Sequence, residues 1–220
     1  MQNSPIKIGR FNSNVDSKAN LKEVVEKTYL VNFNFFGKEV GEIKVNFLYS
    51  REEFNKEKGR ETEPWVVGFT KKEEVYIFSP AIFDKVSSHQ KSDFEFTLRH
   101  EIAHIFTKRI YGFFYPVWLY EGIAGFVAEQ YKLRKISKEQ IQSFSELHDD
   151  ASWNKNHNYT QAFSFTKYLF GQYGKEKVLD FVSIISQTGK ENSFEVFVGL
   201  FHDYFNKNFE EIFNKWKMLF

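Results

Sequence analysis

The chain has 220 residues, which suits one sizeable domain, and its 42% hydrophobic and 27% charged residues are typical of a globular protein. The 30 Lys and Arg residues nearly balance the 29 Asp and Glu residues, which argues against a nucleic-acid-binding protein because such proteins carry a basic excess. The absence of cysteine excludes disulfide scaffolds, thiolate zinc sites and cysteine nucleophiles.

The first part of the chain combines helical and strand patterns. No apolar segment typical of a signal peptide stands at its start, which predicts a cytoplasmic location. Residues 17–27 have a helical pattern, and residues 42–50 alternate between apolar and polar as a half-buried strand does. The densely charged residues 51–63 predict a short solvated helix and a loop. Two strand-like runs, residues 65–70 and 75–79, predict a hairpin.

The second part of the chain is mainly helical in pattern. Apolar residues at helical spacing predict a helix over residues 92–111, with Ser92 and Glu95 as a capping box and Gly112 at its end. A second helix is predicted over residues 117–132. Further helices are predicted over residues 138–147, 160–173, 175–186, 194–204 and 209–218. The pattern therefore predicts an α+β fold with a small N-terminal mixed sheet and a mainly helical C-terminal body.

The apolar residues 110–128 are numerous enough to cross a bilayer, but Gly112 and Pro116 interrupt them and Glu121 is charged. A carboxylate within a membrane span costs about 2.5–3.5 kcal/mol on insertion scales. We therefore predict a loop and a buried helix without a membrane span. A buried helix of this kind needs a specific reason to contain a carboxylate.

An HExxH motif, His100-Glu101-Ile102-Ala103-His104, lies within the predicted helix over residues 92–111. Because the two histidines are four positions apart, they share one helical face and both imidazoles can reach one metal ion. Glu101 lies about 100° further round the helix, where it can contact a metal-bound water. Two histidines on a helix are also typical of ordinary surface or core positions, so the motif alone is moderately specific.

Glu121 supplies the missing part of a metal site. A catalytic zinc ion has three protein ligands and keeps its fourth position for water, so a third ligand is needed after the motif helix. A buried carboxylate is costly unless it is paired or bound to a metal. Zinc coordination by Glu121 therefore explains why this residue occurs in an apolar stretch.

The residues HEIAH followed by WLYEGIA resemble the gluzincin metallopeptidases, specifically the small peptidase-MA-like domains. The run WVVGFTKKEEVYIFSP resembles their edge-strand segment, and the later runs YTQAFSFTKYLFGQYGKEKV and SFEVFVGLFHDYFNKNFEEIFNKWK are similar to their closing helices. The resemblance covers residues 43–217 and implies a zincin-like (gluzincin) fold. It implies an N-terminal extension with a helix over residues 1–42 and a catalytic domain over residues 43–220.

The resemblance implies that His100, His104 and Glu121 bind one Zn²⁺ per chain and that Glu101 is the general base. Its substrate would be a peptide or protein. The expected function is thus that of a zinc-dependent metallopeptidase. The alternatives are a catalytically inactive zincin-like metal-binding domain with a binding or regulatory role, and a helical interaction domain without metal. An intact Glu101 favours the enzyme, because a pure binding site needs no base.

Other residues enter through the same resemblance. An oxyanion donor from a later segment is implied, for which Tyr159 is the candidate and His157 the alternative. The edge strand near residues 66–70 would bind an extended peptide by main-chain pairing. Some gluzincins place an Asp four residues after the third ligand, where this chain has Gly125. Three further histidines without a partner pattern are predicted at the surface: His89, His148 and His202.

Overall fold

The computed structural model describes residues 5–112, 115–133, 135–148, 151, 153, 158–188 and 193–220. The chain divides into two compact units, Met1–Phe106 and Thr107–Phe220. The described residues form an α+β fold, with a small mixed sheet in the first unit and a mainly helical second unit, as the sequence predicts.

The strands of the first unit are β1 (Ile6–Ile8), β2 (Ile43–Leu48), β3 (Gly68–Lys71) and β4 (Glu74–Phe78). Its helices are α1 (Lys18–Phe36), α2 (Arg51–Lys58) and most of α3 (Phe94–Tyr111). The second unit contains α4 (Val117–Val127), α5 (Tyr159–Tyr173), α6 (Lys175–Ser186), α7 (Phe194–Phe205) and α8 (Phe209–Lys217). Short 3₁₀ turns occur at Lys91–Asp93, Gln130–Lys132, Lys138–Gln140 and Phe144–Glu146.

The sheet has the strand order β1-β2-β4-β3, so β3 lies at one edge. Strand β2 pairs in parallel with both β1 and β4, whereas β3 and β4 form the predicted antiparallel hairpin. The two turn residues of the hairpin, Lys72 and Glu73, have φ angles of 50° and 61°. Two consecutive positive φ angles are typical of a type I′ turn, whose twist matches that of the strands it joins. Strand β1 was not predicted, and it brings the N-terminal residues into the sheet.

Helix α3 packs through the apolar face that the sequence predicts. Leu98, Ile102 and Phe106 are fully buried along this face. The Phe106 ring lies 5.2 Å from the ring of Tyr29 and 5.4 Å from that of Phe36, both of which belong to α1. Aromatic contacts of this kind add to the free energy gained by burying apolar area. The helix that carries the motif is therefore anchored on α1.

The start of α3 differs from the predicted capping box. A 3₁₀ turn precedes the helix, and the Gln90 N–H donates to the Asp93 carboxylate at 3.1 Å. The Glu95 carboxylate instead pairs with the Lys27 ammonium at 3.0 Å, so it does not reach back to the backbone at Ser92. The predicted end is confirmed, because Gly112 has a φ of 64° and its N–H bonds to the Lys108 carbonyl.

The predicted helix over residues 138–147 is wrong. The structure has two short 3₁₀ turns there, and the Gln161 side chain of α5 binds the backbone between them. Its Oε1 accepts from the Gln142 N–H at 2.8 Å, and its Nε2 donates to the Gln142 carbonyl at 2.7 Å. A continuous helix would need both backbone groups for its own hydrogen bonds, so this tertiary contact overrides the local pattern.

The core of the second unit is aromatic. Trp118 is fully buried, and its ring lies 4.3 Å from Phe144, 5.6 Å from Phe197 and 5.8 Å from Phe165. This contact fixes the first turn of α4 in the core. Among the described residues, no helix combines the length and the apolar content needed to cross a membrane.

Helices α4 and α5 approach closely because α4 has glycine at the contact. A β-carbon at Gly122 would overlap with Thr166 Oγ1 and would lie 2.9 Å from the Ala162 carbonyl oxygen. One turn later, a β-carbon at Gly125 would overlap with the Phe163 ring. Contacts that run from Gly122–Thr166 to Gly125–Phe163 make the two helices antiparallel.

We expect Gly122→Ala to lower the free energy of unfolding by about 1–3 kcal/mol, because the methyl group has to displace a backbone carbonyl as well as a side chain. The matched control is Gly199→Ala in α7, where an added β-carbon meets nothing within 4 Å. This control should raise stability by about 0.5–1 kcal/mol, since alanine favours a helix over glycine. Urea denaturation of the two variants tests both signs, and a stabilising Gly122→Ala would contradict the close packing.

Candidate metal centre

Helix α3 places the two motif histidines on one face. The His100 and His104 rings are perpendicular, with their centroids 4.6 Å apart. Only 8% of His100 and 6% of His104 is exposed to solvent. Two buried imidazoles one helical turn apart are a costly arrangement unless both ring nitrogens have ligands or hydrogen-bond partners.

Glu121 belongs to the same candidate metal-binding group as the two histidines. One ring nitrogen of His100, one of His104 and one carboxylate oxygen of Glu121 all lie within 4.8 Å of one another. Glu121 is half-buried in the second turn of α4, where its neighbours Leu119, Gly122 and Ile123 are buried. The carboxylate in the apolar helix thus has a position beside two imidazoles.

These residues fit a zinc ion by donor chemistry and by spacing. Two imidazole nitrogens and one carboxylate oxygen form a known ligand set of catalytic zinc sites. Bonds of about 2.0–2.1 Å in a tetrahedral site hold the ligand atoms about 3.4 Å apart. Atoms that lie within 4.8 Å of one another need only a small approach to reach that spacing. His100, His104 and Glu121 could therefore hold a metal ion.

Glu101 lies outside the ligand group and contacts the edge strand instead. It is 8% exposed, and its Oε2 accepts a hydrogen bond from Thr70 Oγ1 at 3.1 Å. A β-carbon at Gly68 would lie 3.0 Å from Glu101 Cγ, so the absence of a side chain there leaves room for the carboxylate. No local sequence pattern indicates these contacts, because they depend on the position of β3 beside α3.

The edge strand β3 offers main-chain groups for pairing. The Phe78 N–H donates to the Val67 carbonyl at 3.2 Å, which makes this a hydrogen-bonded pair. Because antiparallel pairs alternate, the next hydrogen-bonded residue of β3 is Phe69. The N–H and C=O groups of Gly68 and Thr70 therefore point away from β4. The two residues that contact Glu101 are also those whose main-chain groups face the edge of the sheet.

The Asp that some gluzincins have four residues after the third ligand has no counterpart here. The volume beyond Gly125 is filled by the Phe163 ring, which an added β-carbon would overlap. A carboxylate at this position would have to displace the half-buried Phe163 side chain. The packing of α4 on α5 therefore explains why glycine occupies the position.

Tyr159, the candidate oxyanion donor, is the first residue of α5. Its ring lies 5.0 Å from that of Trp153 and 6.0 Å from that of Phe163. Thr166, which lies opposite Gly122, is about 10 Å further along α5 than Tyr159 at a rise of about 1.5 Å per residue. The donor role stays a prediction. The pairing of Gly122 with Thr166 argues against it, because Gly122 directly follows Glu121, so Glu121 is level with Thr166 along α5 and not with Tyr159. The alternative donor, His157, lies outside the described residues.

The prediction that His148 is a surface residue is wrong. It is 2% exposed, and its ring lies 5.3 Å from Tyr115 and 5.5 Å from both Phe194 and Phe197. An isolated histidine between Leu147 and Asp149 gave no signal for burial in this aromatic cluster. His202 has a 62% exposed side chain, as predicted.

No protein-family profile matches the chain, and no curated protein is significantly similar to it. Sequence comparison therefore adds no residue to the motifs described above. The functional assignment rests on the side-chain arrangement of α3, α4 and β3 and on the resemblance of the two motif segments to gluzincins.

Proposed function

We propose that the chain is a zinc-dependent metallopeptidase with a zincin-like fold, which hydrolyses peptide bonds in peptides or proteins. The observation that carries this proposal is the approach of ligand atoms from His100, His104 and Glu121 to within 4.8 Å of one another. A second support is Glu101, which directly follows the first histidine and has a carboxylate next to an edge strand.

Zinc, when bound by these three residues, would supply Lewis-acid polarisation of a carbonyl group and activation of a water molecule. Glu101 would accept a proton from the attacking water on its carboxylate and donate it to the departing amine nitrogen when the C–N bond breaks. The burial of Glu101 keeps bulk water away from this carboxylate.

The edge strand β3 supports a peptide as the substrate. The outward N–H and C=O groups of Gly68 and Thr70 could pair with an extended peptide as an added strand. Main-chain pairing of this kind selects an extended backbone and leaves side-chain preference to the surroundings. A cytoplasmic location is part of the same proposal.

The proposal is tested on the purified protein by elemental analysis and by digestion of casein, an unstructured substrate. We expect about one zinc ion per chain, cleavage of casein, loss of cleavage with a chelator, and recovery when zinc is added back. A chain that holds zinc but cleaves neither casein nor a broad peptide library would be an inactive metal-binding domain. A chain without zinc affinity would contradict both readings of the site.

A further inference from the structure

Glu101 is held by a side chain that does not belong to the HExxH motif. Thr70 Oγ1 donates to the Glu101 carboxylate at 3.1 Å and lies 3.4 Å from the Glu101 main-chain oxygen. Thr70 is half-buried, so this hydrogen bond is partly shielded from water. A threonine on a strand has few side-chain rotamers because it is β-branched, and its hydroxyl therefore has a well-defined direction.

Gly68 provides the second half of this contact. It lies two positions before Thr70, so both residues present the same face of β3 to α3. An added β-carbon at Gly68 would lie 3.0 Å from Cγ, 3.1 Å from Oε1 and 3.3 Å from Cδ of Glu101. The carboxyl group thus lies directly against the strand, with Oε2 held by a hydroxyl and Oε1 beside a glycine.

We propose that Thr70 is a positioning residue for Glu101, in a role that rests on the proposed peptidase function. Its hydrogen bond occupies Oε2 and leaves Oε1 as the oxygen that exchanges the proton with water and the amine. A glutamate side chain has several rotatable bonds, and a general base works only within hydrogen-bond reach of its proton. A displacement of about 1 Å at a reacting group can lower the rate about 100-fold.

The position of Thr70 also connects the base to the substrate. The main-chain groups of this residue face the edge where an extended peptide would pair, whereas its hydroxyl holds the base. A peptide aligned on β3 would therefore have its scissile bond in a fixed position relative to Glu101. Thr70 should consequently affect kcat through the base while the main-chain pairing, and with it KM, persists.

The first test compares Thr70→Val, Thr70→Ser and the wild type in kcat, KM and zinc content with a peptide cleaved by the wild type. Valine has the same shape but no hydroxyl, so we expect kcat to fall about 10- to 100-fold with zinc and KM retained. Serine restores the donor and should recover most of kcat. The matched control is Thr62→Val, which removes a hydroxyl that hydrogen-bonds to Arg51 and Asn55. This control should keep the wild-type kcat.

The second test needs no catalysis and uses the metal-free protein. If the Thr70 hydroxyl holds the Glu101 carboxylate, the effects of Thr70→Val and Glu101→Ala should not be additive. The double variant should shift the urea midpoint by less than the sum of the shifts in the two single variants. Gly68→Ala provides an independent variant, because its methyl group must push the carboxylate and should lower kcat while the hydroxyl stays.

The outcomes separate the two proposals. A wild type that binds zinc and cleaves no peptide overturns the peptidase function and this role of Thr70 with it. An active wild type with an equally active Thr70→Val, or additive midpoint shifts in the metal-free protein, overturns the positioning role alone. Loss of kcat in Thr70→Val with rescue by Thr70→Ser supports it.

Discussion

Glu101→Gln is expected to bind zinc like the wild type and to lose peptide-bond cleavage, with kcat lower by about 10²- to 10⁴-fold. The amide has nearly the same shape as the carboxylate and keeps an oxygen that can accept from Thr70. It cannot take up a proton at neutral pH, so the step that generates the nucleophile is lost. Elemental analysis and single-turnover cleavage of casein measure the two quantities on the same preparation.

A matched control for this variant lies on the same helix. Glu95→Gln removes a carboxylate whose side chain is 44% exposed and which pairs with the Lys27 ammonium at 3.0 Å. An exposed ion pair contributes about 0–1 kcal/mol to stability, so the control should fold, bind zinc and cleave at the wild-type rate. If Glu101→Gln were as active as Glu95→Gln, Glu101 would not be the base and hydrolysis would need another proton acceptor.

Local patterns predicted those parts of the fold whose hydrogen bonds are local or whose burial is periodic. The hairpin of β3 and β4, strand β2 and helix α3 follow directly from alternation and helical spacing. Strand β1 has only three residues, Ile6–Ile8, and exists through its pairing with β2. The predicted helix over residues 138–147 failed for the complementary reason, because Gln161 is distant in sequence and binds the backbone of the segment.

The candidate site likewise has parts that local patterns predict and parts that they do not. The approach of His100 and His104 follows from the geometry of one helix, so the motif alone predicts it. Glu121 could be inferred because a carboxylate in an apolar run needs an explanation. The contacts of Glu101 with Gly68 and Thr70 depend on how β3 lies beside α3, which no local pattern contains. These contacts therefore became visible only in three dimensions.

The largest effect on metal binding is expected for the three proposed ligands. His100→Ala, His104→Ala and Glu121→Gln should each reduce the zinc content from about one ion per chain to nearly none, since two remaining ligands bind zinc weakly. Zinc that binds only the folded wild type should raise its free energy of unfolding. The increase should be about 2.7 kcal/mol at a free zinc concentration of 100 times the dissociation constant and about 4.1 kcal/mol at 1,000 times that constant. Thermal melting with zinc and with a chelator measures this difference.

The zinc-dependent rise in melting temperature separates loss of a ligand from loss of the fold. A ligand variant should melt at the same temperature with zinc and with chelator, whereas His202→Ala should keep the full rise because this side chain is 62% exposed and no ligand. Glu121→Gln is the most informative of the three variants, because it keeps both imidazoles and a side chain of nearly the same shape as glutamate. If its zinc content and its melting rise matched the wild type, the third ligand would lie elsewhere and the gluzincin-type assignment would be wrong.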